Sequence, residues 1–424
     1  MSFNTICVVG LGYIGLPTAA MFASKEKHVT GVDISQHAVE TINAGQIHIV
    51  EPGLDVMVKK AVDNGFLRAT TTPEPADAFL IAVPTPFLPA NTQDSIPEPD
   101  LSYIESAAKS IAKVLKKGDL VILESTSPVG ATEQMSKWLA EERSDLTFPQ
   151  THGEESDIRV AHCPERVLPG HVIRELVEND RIVGGMTEQS SAAATQLYNI
   201  FVKGDCIITN ARTAEMAKLT ENASRDVNIA FANELSVICD KSGIDVWELI
   251  GLANRHPRVN ILQPGPGVGG HCIAVDPWFI VSQAKDDAKL IKVAREVNDQ
   301  KPSWVIKKIK AAISDYLVSF PGKNASQIKI GCFGVAFKAD IDDLRESPAM
   351  AIAETISEWH LGEVLVVEPN IKTLPESLNK CKLVTHDFAI IQADIAVILV
   401  NHKEFYELDF GNIKLIDTRG IYKK

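Results

Sequence analysis

The run TICVVGLGYIGLP, residues 5–17, narrows the possible folds more than any other stretch of this chain. A β-branched strand leads into Gly10-x-Gly12-x-x-Gly15 and then into an apolar helical stretch, PTAAMFAS. Glycines so placed allow a tight turn and a close backbone approach to a pyrophosphate, which then sits at the helix N-terminus. The turn alone is a weak signal, because many strand-turn-helix units use glycine. Asp33 strengthens it, ending the next strand-like run, VTGVD, 18 residues after Gly15. A carboxylate there accepts hydrogen bonds from a ribose 2′-hydroxyl and repels a 2′-phosphate, which favours NAD over NADP. The bland alternative for Asp33 is a turn residue.

The rest of the first 200 residues repeats this grammar. AFLIAVP (78–84), LVILES (120–125) and IRVAHCP (158–164) read as further strands separated by helical stretches, the pattern of βαβ units and a parallel sheet. VPTP (83–86), ESTSPVG (124–130) and CPER (163–166) fall at the carboxyl ends of those strands, the edge that holds ligands in open parallel sheets. The texture changes near residue 213. The stretch 213–242 lacks Pro and internal Gly, is rich in helix formers and stops at Ser242-Gly243. It predicts a helix about 45 Å long at roughly 1.5 Å per residue. A second alternation starts near 328 with IKIGCFG, after SDYLVSFPGKNASQ, which reads as the end of a linker. The expectation is an α/β protein with two doubly wound, Rossmann-like domains joined by a long central helix. The boundaries are a dinucleotide-binding domain over 1–210, a central helical and dimerisation region over 211–310, and a second Rossmann-like domain over 311–424.

Composition removes several function classes. A formal charge of −13 argues against nucleic acid or an anionic membrane as the main partner. Seven scattered cysteines without a CxxC pair fit a reducing compartment, and suggest neither a disulfide scaffold nor a metal site. No basic leader opens the sequence and no apolar run approaches membrane-spanning length, so we expect a cytoplasmic, soluble protein.

Two constellations carry chemistry. Lys218, Asn222 and Arg225 lie at i, i+4 and i+7 of the long helix and share a face. The bland reading is a solvated face with Lys218 paired to Glu215 or Glu221. The loop GPGVGGHCIAVDPW (265–278) presents Cys272 four residues before Asp276. Asp276-Pro277 reads as an N-cap followed by Pro at the first helical position. Cys272 then stands just ahead of a helix N-terminus, where the dipole can lower a thiol pKa. Such a cysteine can add to an aldehyde, the covalent step an alcohol-to-acid oxidation needs. Otherwise it is a small buried hydrophobe beside a turn.

GLGYIGLP, VPTP, ESTSPVG, CPER, the Lys218/Asn222 helix, GPGVGGHCIAVDP and FKADIDDLRESPA follow one another in the order of the UDP-sugar 6-dehydrogenases, the UDP-glucose/GDP-mannose dehydrogenase family, which the chain resembles over essentially its whole length. The resemblance implies a four-electron oxidation of the sugar C6 alcohol to a carboxylate with two NAD+ per sugar. It implies Cys272 as the thioester-forming nucleophile, Lys218 as acid/base or oxyanion stabiliser, and Asn222 as polariser of the C6 oxygen. Asp276 and Glu165 would assist proton transfer or water activation. To the cofactor it assigns Gly10, Gly12, Tyr13, Ile14, Gly15, Asp33, Thr85, Thr126 and Arg345, although Arg345 could simply neutralise Asp342 and Asp343. To the UDP-sugar it assigns Arg166, Val167, Lys218, Asn222, Arg225, His256, Arg258, Gly269, Phe337, Lys338 and Arg419, mostly cations, as a diphosphate needs. GCFGVAFK departs from GxGxxG, so a UDP cradle is expected there and no second dinucleotide site. Members acting on UDP-glucose usually place Ser before the cysteine, where this chain has His271; together with NRHPRVNILQPGPG, this points to UDP-N-acetyl-D-mannosamine, and so to a precursor of a bacterial surface polysaccharide.

UDP-N-acetylglucosamine or UDP-glucose would keep the same chemistry. A two-electron β-hydroxyacid dehydrogenase shares the Lys-x-x-x-Asn helix but needs no nucleophile, which counts against it. A non-catalytic NAD-binding regulator leaves Lys218, Asn222, Cys272 and Asp276 without a reason to occur together. A homodimer through the 213–242 helix is expected, because apolar residues lie on several of its faces.

Overall fold

A computed structural model describes residues 3–89, 96–168, 170–270 and 272–422, so His271 lies outside the described residues. The chain divides into two compact units, Met1–Glu221 and Asn222–Lys424.

Among its described residues the first unit holds eight strands: β1 (Thr5–Val9), β2 (His28–Val32), β3 (Leu67–Thr70), β4 (Ala78–Ile81), β5 (Leu120–Leu123), β6 (Arg159–His162), β7 (Arg181–Gly185) and β8 (Cys206–Asn210). Their order is β3-β2-β1-β4-β5-β6-β7-β8, and every pairing is parallel except β6 with β7. The central strands are apolar throughout because both faces are covered. Ile6, Val8, Leu80 and Ile122 enter one core, with Leu16 and Phe22 of the helix Gly15–Ala23. Their neighbours Cys7, Val9, Ile81 and Val121 enter a second core, with Ile104 and Leu139. This period-two division is what strand geometry dictates. The strand order reverses between β1 and β4, the switch point at which such sheets bind ligands.

β1, β4, β5 and β6 fall within the predicted runs and β2 overlaps its run, starting one residue earlier at His28, whereas β3, β7 and β8 were not predicted. β7, RIVGG, carries two glycines that read as a turn. Gly184 is required there because a Cβ would lie 2.5 Å from the Cβ of Ala214, where the helix Ala211–Ser242 begins against the sheet. β8, CIITN, is an edge strand with Ile207 and Ile208 exposed, so it lacks a buried pattern to read.

The second unit continues that 32-residue helix and adds the helices Val246–Ala253, Asp276–Ala284, Lys289–Ser319 and Pro348–Trp359. Its parallel sheet comprises β9 (Ile330–Phe333), β10 (Val364–Val367), β11 (Lys382–Leu383), β12 (Ile395–Ile398) and β13 (Lys414–Asp417), ordered β11-β10-β9-β12-β13. Ile330, Cys332, Ile395 and Val397 pack on Val305 and Ile309 of the 289–319 helix. Phe333, Ala396 and Ile398 face the other way, onto Phe405 and Phe410. The expected linker end, SDYLVSFPGKNASQ, begins as helix: residues to Ser319 close the 289–319 helix, which passes through Pro302. An interior Pro removes one backbone hydrogen bond and normally marks a break. Here, burial of Val305, Ile309, Ala312 and Ile313 outweighs it.

Candidate active site

In the first unit the glycine turn is built for close approach. Gly10 has φ +90°, and a Cβ there would sit 2.5 Å from the carbonyl oxygen of Ala82. A Cβ on Gly15 would strike the carbonyl oxygen of Gly10, whereas one on Gly12 would meet nothing within 4 Å. Two glycines therefore serve packing, and the third borders open space where a phosphate fits. Asp33 Oδ2 accepts the Leu11 N–H at 2.9 Å, tying the ribose-side carboxylate to the turn itself. Thr85 Oγ1 is buried without a hydrogen-bond partner among the described residues, and Tyr13 is partly exposed beside the turn. Ser125 Oγ donates to the Val83 carbonyl at 2.7 Å, joining the loop that carries Thr126 to the one that carries Thr85. Ile14 caps the helix Gly15–Ala23 without a side-chain hydrogen bond. These groups could hold a dinucleotide.

Glu165 is not a free base at the end of β6. Its Oε2 accepts from Arg181 Nη2 at 2.5 Å, and its Oε1 accepts the Arg166 N–H at 2.8 Å. Arg181 is 4% exposed and lies over the Tyr198 ring, 4.1 Å from its centroid. Its Nη1 stands 3.5 Å from Glu124 Oε1, which accepts from the Tyr198 hydroxyl at 2.6 Å. Burial pushes Glu124 up to about 7, against the pull of Arg181. Glu124, Arg181 and Tyr198 were not singled out from sequence. Arg181 opens an unpredicted strand, and nothing local marks it.

Arg166 Nη1 donates to Glu221 at 2.8 Å, and the Val167 side chain packs against the core. Glu215 accepts the N–H groups of Gly130 and Thr132 at 2.6 and 2.8 Å, capping the helix Ala131–Glu142. Both acids considered as partners for Lys218 are thus engaged elsewhere, and Lys218 forms no ion pair among the described residues.

In the second unit the nucleophile candidate and two of its proposed partners lie on adjoining elements. Cys272 is exposed, and its carbonyl accepts the N–H groups of Val275 and Asp276 at 3.1 and 2.9 Å. That turn runs straight into the helix Asp276–Ala284, so Asp276 is the first helical residue and Val275 the cap. This corrects the expectation that Asp276 caps the helix. Its carboxylate, 3% exposed, instead accepts from Asn222 Nδ2 at 2.6 Å. The loop glycines answer to protein neighbours. A Cβ on Gly269 would lie 2.4 Å from the Glu346 carbonyl oxygen, and one on Gly270, at φ +84°, would lie 3.1 Å from the Phe337 ring.

A cavity of ≈ 260 Å³ beside this loop is lined by Pro266, Gly267, Phe337, Lys338, Asn401 and Arg419, among others. Arg419 Nε and Nη2 donate to Asn401 Oδ1 at 3.1 and 2.8 Å, and no carboxylate lies within ion-pairing distance of the guanidinium among the described residues. Burial lowers the Arg419 pKa, with Asp417 nearby opposing it, yet an arginine stays charged, so the cavity offers an anion a cation that is not held in an ion pair among the described residues. The turn after β9 is filled differently: Glu368 Oε2 takes the N–H groups of Val335 and Ala336 at 2.8 and 3.1 Å. A protein carboxylate thus holds donors that a phosphate would use in a dinucleotide turn. Arg345 is bidentate to Asp343, its Nε and Nη2 donating at 2.8 and 2.6 Å. Arg225, on the long helix, and His256 and Arg258, in the turn after the helix Val246–Ala253, are exposed and do not line this cavity.

A sheet with this switch point and an acid just after its second strand is that of a dinucleotide-binding protein. Three family models describe the chain in sequence: the NAD binding domain of the UDP-glucose/GDP-mannose dehydrogenase family over 4–202, its central domain over 212–300 and its UDP binding domain over 331–424. The chain belongs to this family. It is 64% identical over 427 residues to a UDP-N-acetyl-D-mannosamine dehydrogenase of Salmonella typhi, covering 100% of both chains. It is also 64% identical over 425 residues to an NDP-N-acetyl-D-galactosaminuronic acid dehydrogenase of Ralstonia nicotianae, covering 100% of this chain and 97% of the other. Among solved structures it is similar to a UDP-N-acetyl-mannosamine dehydrogenase from S. aureus, at 41% identity and a TM-score of 0.85, covering 99% of this chain and 96% of that one.

Proposed function

We propose that the enzyme oxidises C6 of UDP-N-acetyl-D-mannosamine to the carboxylate, with Cys272 as nucleophile. The observation that carries the reading is the exposed Cys272 one turn ahead of the helix whose first residue, Asp276, is hydrogen-bonded to Asn222. NAD+, when bound, accepts a hydride from C6 in each of two oxidations. The first converts the alcohol to an aldehyde as the hydroxyl proton passes to a base. The Cys272 thiolate then adds to the aldehyde carbon, forming a C–S bond and a thiohemiacetal. Loss of the second hydride and of the remaining hydroxyl proton gives a thioester, which water cleaves to the carboxylate and the free thiol. Lys218 stabilises the oxyanion, Asn222 polarises the C6 oxygen, and Asp276 orients Asn222 and takes part in proton transfer. Glu165, held by Arg181, contributes as a fixed carboxylate. Arg419 and Lys338 bind the diphosphate.

The choice of sugar is supported by the full-length similarity to enzymes of that name, and the galacto-configured relative at equal identity sets the competing substrate. Incubation with NAD+ and a panel of UDP-hexoses, counting NADH per sugar, tests both parts. Two NADH per UDP-N-acetyl-D-mannosamine is expected. One NADH, or no turnover on any UDP-sugar, overturns the four-electron reading, and preference for another UDP-hexose overturns the sugar.

We further propose a cytoplasmic homodimer paired through the 211–242 helix. Phe231 and Ile238, seven residues apart on one face, are 54% and 50% exposed, and no described helix is long and apolar enough to cross a membrane. A monomeric mass at micromolar concentration would overturn the dimer.

A further inference from the structure

Asn233, three turns beyond Asn222 on the 211–242 helix, is fully buried. Its Oδ1 accepts the Gly265 N–H at 2.9 Å, and its Nδ2 donates to Asn298 Oδ1 at 2.8 Å. Asn298 Nδ2 donates to Asp226 Oδ1 at 2.8 Å, which also accepts from Arg295 Nη1 at 2.5 Å. One unbroken buried chain therefore runs from Arg295 through Asp226, Asn298 and Asn233 to the main chain of Gly265. Each of the four side chains is at most 1% exposed. An apolar seam between two long helices would be cheaper to bury, and this one leaves Asp226 Oδ2 and Arg295 Nε without a hydrogen-bond partner among the described residues, so the chain is kept at a cost in stability.

The far end of this chain is the start of the segment that presents Cys272. Asn222 and Asn233 are eleven residues apart, close to three whole turns at roughly 3.6 residues each, so they project from one face of the helix. Asn233 holds Gly265, and Asn222 holds Asp276. Between those points a Cβ on Gly267, Gly269 or Gly270 would press on Pro302, Pro348 or Phe337, so the segment is closely packed there.

We propose that Asn233 is a positioning residue for the reaction: with Asn222 it clamps the 265–276 segment at both ends to one rigid helix, and so sets where Cys272 Sγ stands. An amide suits this position, because its oxygen accepts from the backbone N–H while its nitrogen donates to Asn298. The inference rests on Cys272 being the nucleophile. Ser236 serves for comparison in the same helix pair: its Oγ accepts from the buried Lys301 ammonium and donates to the main-chain carbonyl of Asn233 at 2.6 Å, and among the described residues it forms no hydrogen bond to the segment.

The test uses full-length Asn233→Leu, Asn233→Ala, Ser236→Ala and Cys272→Ala, assayed with NAD+ and UDP-N-acetyl-D-mannosamine at a temperature where each is folded. Semicarbazide traps any aldehyde released. Asn233→Ala leaves room for a water and keeps the comparison open should Asn233→Leu fail to fold. Both Asn233 variants are expected to lower kcat about tenfold or more with KM moving less than about twofold, because a nucleophile displaced by about an ångström is costly. They are also expected to release aldehyde that the parent retains. Ser236→Ala lowers Tm but keeps kcat and releases no aldehyde. Parental kcat in a folded Asn233 variant, or an equal loss of kcat in Ser236→Ala, overturns the clamp while Cys272→Ala remains inactive. Full uronate formation by Cys272→Ala overturns the nucleophile reading, and the clamp with it.

Discussion

Asn222 Nδ2 donates to Asp276 Oδ2 at 2.6 Å, joining the long helix to the first residue of the helix that follows Cys272. The carboxylate is 3% exposed, so this donor cannot be replaced by bulk water. Asn222→Ala should lower the unfolding free energy by about 1–3 kcal/mol, the usual cost of withdrawing a partner from a buried group. It should also lower kcat more than it raises KM, since Asn222 is proposed to act on the C6 oxygen. Urea titration and steady-state kinetics on one preparation check both, and a stable variant with parental kcat would remove Asn222 from the chemistry.

Asp33, the acid proposed for the ribose, also holds the glycine turn by accepting the Leu11 N–H. Asp33→Ala should therefore raise KM for NAD+ by about tenfold, a loss of roughly 1.4 kcal/mol. It should also narrow the preference for NAD+ over NADP+, because the carboxylate that repels a 2′-phosphate is gone. Kinetics with each cofactor separate the two effects, and an unchanged cofactor ratio would assign Asp33 to turn geometry alone.

Glu124 gives a pH signature. Its folded pKa is raised from 4.5 to about 7 by burial, so the folded state keeps a proton that the unfolded chain releases. Stability from this group is complete below 4.5 and is lost as pH rises towards 7. Glu124→Gln, close in shape to the protonated acid, should flatten the fall of Tm across that window relative to the parent. The groups facing Glu124 are Arg181, Glu165 and Tyr198. Identical slopes in parent and variant would mean that Glu124 is already ionised in the folded protein.

The first unit was readable because burial on both faces leaves nearly continuous apolar strands, and the glycine turn with Asp33 fixes where the sheet begins. β7 escaped because its glycines serve contact with Ala214, a tertiary demand with no local mark. Pairing within the candidate site was equally hidden. Cys272, Asp276 and Asn222 stood out as residue types at telling spacings. That Asp276 would bind Asn222 instead of capping its helix depends on how two distant segments pack. Arg181 and Asn233 bear no chemical signature in the sequence, and they become legible only through the partners they hold, Glu165 and Gly265.

Gly270 separates the two uses of a glycine loop. A loop glycine can admit a ligand or serve the protein's own packing, and at this position the constraint is the protein: φ is +84° and a Cβ would lie 3.1 Å from the Phe337 ring. Gly270→Ala places an L side chain in the left-handed region, at about 1–2 kcal/mol. It also presses on Phe337, which lines the cavity with Arg419. The variant should lose a few degrees of Tm, and KM for the UDP-sugar should rise while KM for NAD+ stays near the parent's, because Gly270 and Phe337 belong to the second unit and the dinucleotide turn to the first. Equal increases in both KM values would mean that the strain spreads through the whole chain and is not confined to the UDP-sugar cavity.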